Sequence, residues 1–210
     1  MSIATAPETY RGSITREQWL IDETRTVARL MADEGITADV DLVARVTSQN
    51  LFCYPTEREQ ASITRACARR LRALSNDPDT RVRAIDLVAH GTPDQHNQTN
   101  LYAMMRDNRL VWDFMLCLVA RKLETLDTTL HRYEIADFLE GLRAQNERVA
   151  TWSDATLNKV RQVLTACLVN CGMYDRATEQ LKPLLLDYDL ELCMRANGDD
   201  AVLRVFGMEG

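Results

Sequence analysis

The chain has 210 residues, 46% of them hydrophobic and 27% charged, which is enough for one medium-sized core or two small ones and excludes extended disorder. Glycine and proline are scarce, so the composition favours long helices joined by short connections. The net charge of −6 argues against a protein that binds nucleic acid over its whole surface, although a local basic face is compatible with DNA binding.

Helix start and stop signals divide the N-terminal half into short helices. A capping-box pattern at Thr15–Gln18 predicts a first helix that ends at Gly35. A second capping box at Thr56–Glu59 predicts a longer helix that ends near Leu74. Further helices are predicted over residues 39–48, 78–90, 94–106 and 108–124.

The C-terminal half contains further helices and an irregular segment. Residues 124–129 form a polar stretch that is a candidate linker, and residues 133–145 form an amphipathic helix. Ser153 is placed to cap a long helix that is stopped by Gly172. Residues 173–182 fit either a short strand pair or a turn. Helices are also expected over residues 183–194 and 199–206.

Together these patterns predict an all-α protein with two helical subdomains. Residues 1–92 form the first, in which three helices resemble a helix-turn-helix with a tight joint near residues 35–39. Residues 93–210 form the second, which has the helix, turn, helix and wing order of a winged helix. The small wing in this C-terminal half depends on residues 173–182 forming a strand pair.

Arginine residues cluster on one side of the helix that begins after Thr56. At about 100° per residue, four arginines fall within roughly 40° of one line, and apolar residues fall opposite. This arginine stripe consists of Arg58, Arg65, Arg69 and Arg72. Because guanidinium groups bind phosphate oxygens and guanine edges, we expect the four side chains to point outward together and contact DNA. The alternative is a solvated helix face whose arginines pair with acids elsewhere in the protein.

A second basic patch is predicted on the long helix that Ser153 caps. Its apolar residues take one side, which leaves Asn158, Lys159 and Arg161 facing solvent. Amide, lysine and arginine side chains on an exposed helix suit contacts with phosphates and base edges of DNA. Ordinary solubility explains the same residues, so both interpretations stay open.

No sequence pattern indicates catalysis, a cofactor or a metal. The motifs GxxxxGK[ST], GxGxxG, GxSxG and HExxH are absent. The six cysteines form no CxxC pair, which favours buried free thiols in a reducing cytoplasm. The N-terminus lacks a signal-peptide pattern, and the longest apolar stretch is too short to span a bilayer. We therefore expect a cytoplasmic protein without catalytic residues, cofactor, metal or membrane span.

Several short motifs follow one another along residues 13–206. They are Trp19-Leu-x-x-Glu23-Thr-x-x-Val27-Ala-x-Leu30, Asn50-Leu-Phe52, Arg69-Arg-Leu71-x-x-Leu74, Leu110-Val-Trp-Asp113-Phe114, Tyr133-x-x-x-Asp137-Phe138, Trp152-Ser-x-x-Thr156-x-x-Lys159 and Leu168-x-x-x-Gly172. Their order and spacing resemble the BrxA family, the small helical component of bacterial BREX phage-defence systems, which methylate host DNA and block phage replication.

The resemblance implies an all-helical, helix-turn-helix protein that binds DNA in the cytoplasm. We therefore expect a noncatalytic accessory protein that binds double-stranded DNA and works with other BREX proteins. A protein-interaction adaptor of the defence complex is one alternative. The family is also similar to the NusB antiterminator, which implies RNA binding as another. The sequence leaves the oligomeric state and any DNA sequence preference open.

Overall fold

Helices account for most of the chain in the computed structural model, which describes residues 7–208 and confirms the predicted all-α class. The helices of the N-terminal half are α1 (Ile21–Asp33), α2 (Asp39–Ser48), α3 (Glu57–Ala73), α4 (Pro78–His90) and α5 (Pro93–Asp107). They are followed by α6 (Arg109–Phe114), α7 (Arg121–Glu124), α8 (Arg132–Gln145), α9 (Glu147–Ala150) and α10 (Asp154–Asn170). A hairpin of β1 (Tyr174–Asp175) and β2 (Gln180–Leu181) precedes α11 (Tyr188–Ala196) and α12 (Asp200–Leu203). A π-helical segment, Met115–Ala120, joins α6 to α7.

The chain folds into two compact units that are discontinuous in sequence. The hairpin unit contains residues 7–19, 108–186 and 198–208. The α3 unit contains residues 20–107 and 187–197. The boundary predicted at residue 92 therefore falls inside the α3 unit. Because α5 packs against α3 and α4, it completes this unit and does not begin a new one.

The first α-helix begins later than the capping-box pattern at Thr15–Gln18 predicts. Gly12–Thr15 instead forms a short 3-10 helix, in which the Thr15 hydroxyl donates a hydrogen bond to the Gly12 carbonyl at 3.0 Å. Leu20 adopts a φ of +48°, in the left-handed region that side chains rarely occupy. This conformation turns the chain just before α1 starts at Ile21.

Helix α3 has a buried face and a solvent face, as its residue spacing predicts. The backbone N–H of Glu59 donates to the Thr56 hydroxyl at 3.2 Å, which confirms the predicted cap. Cys67 and Leu71 are fully buried on the face that packs against α1 and α2. The connection from α2 to α3 spans residues 49–56, longer than the turn of about 3–4 residues in a helix-turn-helix. The tight joint predicted near residues 35–39 lies between α1 and α2. It is therefore not the connection that leads directly into α3, which carries the arginine stripe.

The hairpin unit contains a small antiparallel sheet beside α10. Strand β1 pairs with β2, which confirms the strand-pair alternative for residues 173–182. Thr129 pairs with Gln180 of β2 in an antiparallel bridge, so the segment before α8 lies at the other edge of the sheet. Two further bonds hold this edge: Leu181 N–H donates to Thr128 O at 2.6 Å, and Tyr174 Oη–H donates to Leu130 O at 2.9 Å. The hairpin is therefore fixed to the N-terminal end of α8.

Candidate nucleic-acid interface

The arginine stripe does not point outward as a set of four. Arg69 lies beside Asp107, at the end of α5, with Nε 2.8 Å from Oδ1 and Nη2 3.0 Å from Oδ2. The Asp107 side chain is only 6% exposed, so this bidentate ion pair is part of the packing between α3 and α5. Arg69 is therefore not free of the protein's own carboxylates, as the outward-pointing stripe requires, because Asp107 comes beside it from a distant part of the sequence.

Arg72 is also paired within the α3 unit. Its Nη2 lies 2.7 Å from Oδ1 of Asp39 and donates to the Thr37 carbonyl at 2.7 Å, which ties α3 to the start of α2. Arg58 and Arg65 are exposed, and neither has an ion pair among residues 7–208. The stripe therefore presents two available guanidinium groups instead of the predicted four.

The second predicted patch lies in a cationic cavity on the hairpin unit. Its volume is about 520 Å³. It is lined by Gln18, Arg132, Lys159, Arg161, Gln162, Val163, Thr165, Ala166 and Arg176. Four of these side chains are cationic and none is acidic, so the cavity is a concentrated positive region on a protein of net charge −6.

Three structural elements bring the four cations together. Lys159 and Arg161 lie on α10, whose opposite face buries Val160 and Leu164 in the core. The Ser153 hydroxyl accepts a hydrogen bond from Thr156 N at 3.2 Å and caps α10 as predicted. Arg132 is the first residue of α8 and Arg176 lies in the hairpin turn, so the sheet described above determines their positions.

Asn158 lies beside the cavity and not in it. Its side chain is exposed on α10, and its Oδ1 accepts a long hydrogen bond, 3.4 Å, from Nη2 of Arg161. Together with Arg161, it also lines a much smaller pocket that contains Glu140 and Asp154. The structure thus brings Lys159 and Arg161 into one site and leaves Asn158 at its edge.

Arg132, Arg176 and Gln18 were not predicted as site residues from the sequence. Arg176 occurs in the segment that was considered as a wing, so its position in the hairpin turn could have been inferred from the sequence. Arg132 and Gln18 have no spacing relation to α10, and only the folded chain places them beside it. Arg132 has an acidic neighbour, since its Nε lies 3.4 Å from Oε1 of Glu179.

Comparison with known proteins gives the family. The profile of the BrxA family matches residues 8–198. The chain belongs to the BrxA family. A protein from Bacillus cereus (strain H3081.97), named "BREX protein BrxA", is 27% identical over 194 residues, which cover 91% of this chain and 93% of that protein. The resemblance read from the motifs is thereby confirmed.

A solved structure has the fold of this BrxA-family chain. The crystal structure of an uncharacterized protein from Magnetospirillum magneticum superposes with a TM-score of 0.77 and 23% sequence identity. The superposition covers 94% of this chain and 97% of the other. The two proteins therefore share their fold along nearly their whole length.

The α3 unit of this BrxA-family protein carries a larger groove of different character. Its volume is about 660 Å³ and it lies among α1, α4 and α11. Met31, Ile85 and Leu192 are among the apolar side chains that line it. Its charged lining residues are Arg81, Arg83, Asp86 and Asp189. Because these charges balance, the groove lacks the cationic excess of the cavity.

Other chemistry-bearing side chains are dispersed. Within residues 7–208, no three His, Cys, Asp or Glu side chains are grouped so that they could hold a metal ion. Four cysteines are buried free thiols, as the sequence analysis expected, whereas Cys53 and Cys117 are exposed. In the same part of the chain, no helix has the length and apolar character needed to cross a membrane. The cationic cavity is therefore the candidate site with the clearest chemical preference.

Proposed function

We propose that this chain is a noncatalytic, double-stranded DNA-binding accessory protein of a BREX antiphage defence system in the cytoplasm. The BREX part is supported by membership of the BrxA family and by the name of the Bacillus cereus relative. The DNA-binding part is supported above all by one observation, the cationic cavity formed by α8, α10 and the hairpin. Other BREX proteins are its expected protein partners.

The order of elements in the hairpin unit supports this proposal. The helix over residues 109–124, the edge segment at Thr129, α8, the short α9, α10 and the hairpin follow one another in an order similar to that of a winged helix. In a helix-turn-helix the later helix enters the major groove, and we propose this role for α10. The hairpin would then act as the wing. In this proposal, the hairpin unit corresponds to the winged-helix-like C-terminal half that the sequence predicts.

The electrostatics indicate how the protein would bind. We expect Arg132, Lys159, Arg161 and Arg176, which line one cavity, to contact phosphates, and phosphate contacts orient a protein on DNA without reading its sequence. Asn158, exposed at the edge of the cavity, supplies an amide that can read base edges. Binding through phosphates releases counterions, so affinity depends strongly on salt.

The proposal predicts a steep loss of duplex affinity with salt. If four phosphates are contacted, affinity should fall about 100-fold between roughly 50 and 200 mM monovalent salt. Fluorescence anisotropy with a short labelled duplex measures this, with single-stranded DNA and RNA of the same sequence as comparisons. Duplex DNA should bind tightest. Tighter binding of single-stranded RNA would support a NusB-like role, and copurification with BREX proteins without nucleic-acid binding would support an adaptor.

A further inference from the structure

Glu179 brings a carboxylate to the rim of the cationic cavity. Its Oε1 lies 3.4 Å from Nε of Arg132, and its Oε2 accepts a hydrogen bond from Nδ1 of His131 at 2.7 Å. The Arg132 side chain is 68% exposed, whereas that of Glu179 is 29% exposed. The arginine is therefore the freer member of the pair.

The hairpin holds Glu179 in place. Its φ of +54° lies in the left-handed region, and its carbonyl accepts a hydrogen bond from Leu130 N at 2.9 Å. The hydrogen bond from His131 is the main cause that keeps the pKa of Glu179 below its ordinary value, and Arg132 adds to it. Glu179 is consequently ionised at neutral pH and held in place by these hydrogen bonds.

We propose that Glu179 is a resident counter-ion of Arg132 that a phosphate of the nucleic-acid backbone must displace before this arginine can bind. The inference rests on the proposed function, because the displacing group is a DNA phosphate. At 3.4 Å, the contact between Arg132 and Glu179 is longer than a strong charged hydrogen bond, and Arg132 is exposed. A phosphate offers the guanidinium two oxygens at once and therefore competes well for it.

Displacing Glu179 from Arg132 weakens the binding of nucleic acid, and this effect arises only in the bound state. When Arg132 turns to a phosphate, Glu179 stays behind because His131 and Leu130 still hold it. Its negative charge then faces the bound phosphate and weakens binding. Glu179 thus lowers the affinity of the cavity for nucleic acid. Arg132 contacts a phosphate only after it has left Glu179.

Replacing this carboxylate should strengthen DNA binding. Glu179→Gln keeps an oxygen that accepts the hydrogen bond from His131, so the hairpin should stay in place. At about 50 mM salt we expect duplex affinity to rise about fourfold, the effect of removing one like charge roughly 5 Å from a phosphate in water. The gain should shrink at high salt because screening weakens the repulsion. Anisotropy titrations measure the affinity, and thermal unfolding checks that the variant is folded.

Two controls make the test specific. Asp137→Asn removes the same charge from an exposed position on α8 outside the cavity lining, and it should change affinity less than about twofold. In an Arg132→Gln background, the gain from Glu179→Gln should fall below about twofold, because no arginine then brings a phosphate close to position 179. Should Glu179→Gln lower the thermal stability, Glu179→Gly, which suits the left-handed φ of this position, provides a second measurement with the same expected direction.

The outcomes separate this inference from the proposed function. No gain in Glu179→Gln, an equal gain in Asp137→Asn, or a gain that persists without Arg132 would each overturn the counter-ion role, while wild-type DNA binding would still stand. A wild-type protein that binds no duplex DNA at low salt would overturn both. A gain that requires Arg132 supports both.

Discussion

Reversing the two α10 charges in the cationic cavity should nearly abolish DNA binding. We expect the Lys159→Glu, Arg161→Glu variant to bind a short duplex at least about 100-fold more weakly than the wild type at roughly 50 mM salt. Two phosphate contacts are lost, and two carboxylates then oppose the approaching backbone. Lys159 is exposed and Arg161 is half-buried at the cavity wall, so the core face of α10 is untouched. Anisotropy titration measures the loss, and circular dichroism confirms the fold.

The remaining exposed arginines of the stripe supply the matched control. Arg58→Glu, Arg65→Glu changes the net charge by the same amount on the α3 unit. We expect it to reduce affinity less than about fivefold, through the overall field alone. If this control loses more affinity than the α10 variant, the DNA site is on α3, and the cavity is not the interface.

The positions of helix starts were predictable where a side chain caps the helix next to it in sequence. Asp77 and Ser153 cap α4 and α10, because each side-chain oxygen accepts a bond from a backbone N–H three residues later. The pattern at Thr15–Gln18 also predicts a helix start, but α1 begins only at Ile21. There the left-handed Leu20 turns the chain, a conformation that no local propensity predicts.

Partners of charged side chains were not predictable, because they depend on contacts between distant segments. Helical spacing correctly placed Arg69 and Arg72 on one face of α3. It gave no information about Asp107 or Asp39, which other helices bring beside them. Half of the stripe is therefore paired with the protein's own carboxylates, although its periodicity is correct.

Only part of the cavity lining could be predicted from the sequence, because some of its residues come from distant segments. Lys159 and Arg161 share α10, and spacing alone places both outside its apolar face, although two residues apart they do not face each other. Arg132 and Arg176 join them through the bridge between Thr129 and the hairpin, which is a tertiary contact. Local patterns therefore identified the helix of the site, and the fold supplied the rest of its charge.

Removing the Arg69 side chain should destabilise the protein. We expect Arg69→Ala to lower the free energy of unfolding by about 2–4 kcal/mol, because Asp107 loses its bidentate partner while its carboxylate stays buried. Urea or guanidinium unfolding followed by circular dichroism measures the change. Arg69→Glu should be worse, since it adds a second carboxylate. A loss of DNA binding in that variant would report unfolding and not a lost contact.

Arg72→Ala is the matched comparison for this prediction. Arg72 also pairs with a carboxylate, but its side chain is 37% exposed and that of Asp39 is 46% exposed. Exposed ion pairs contribute about 1 kcal/mol or less, so the two variants should differ clearly in unfolding midpoint. Equal unfolding midpoints for Arg69→Ala and Arg72→Ala would show that burial of Asp107 does not increase the contribution of its ion pair to stability. Combining Arg69→Ala with Asp107→Asn should restore part of the lost stability, because a neutral amide is less costly to leave beside the apolar core.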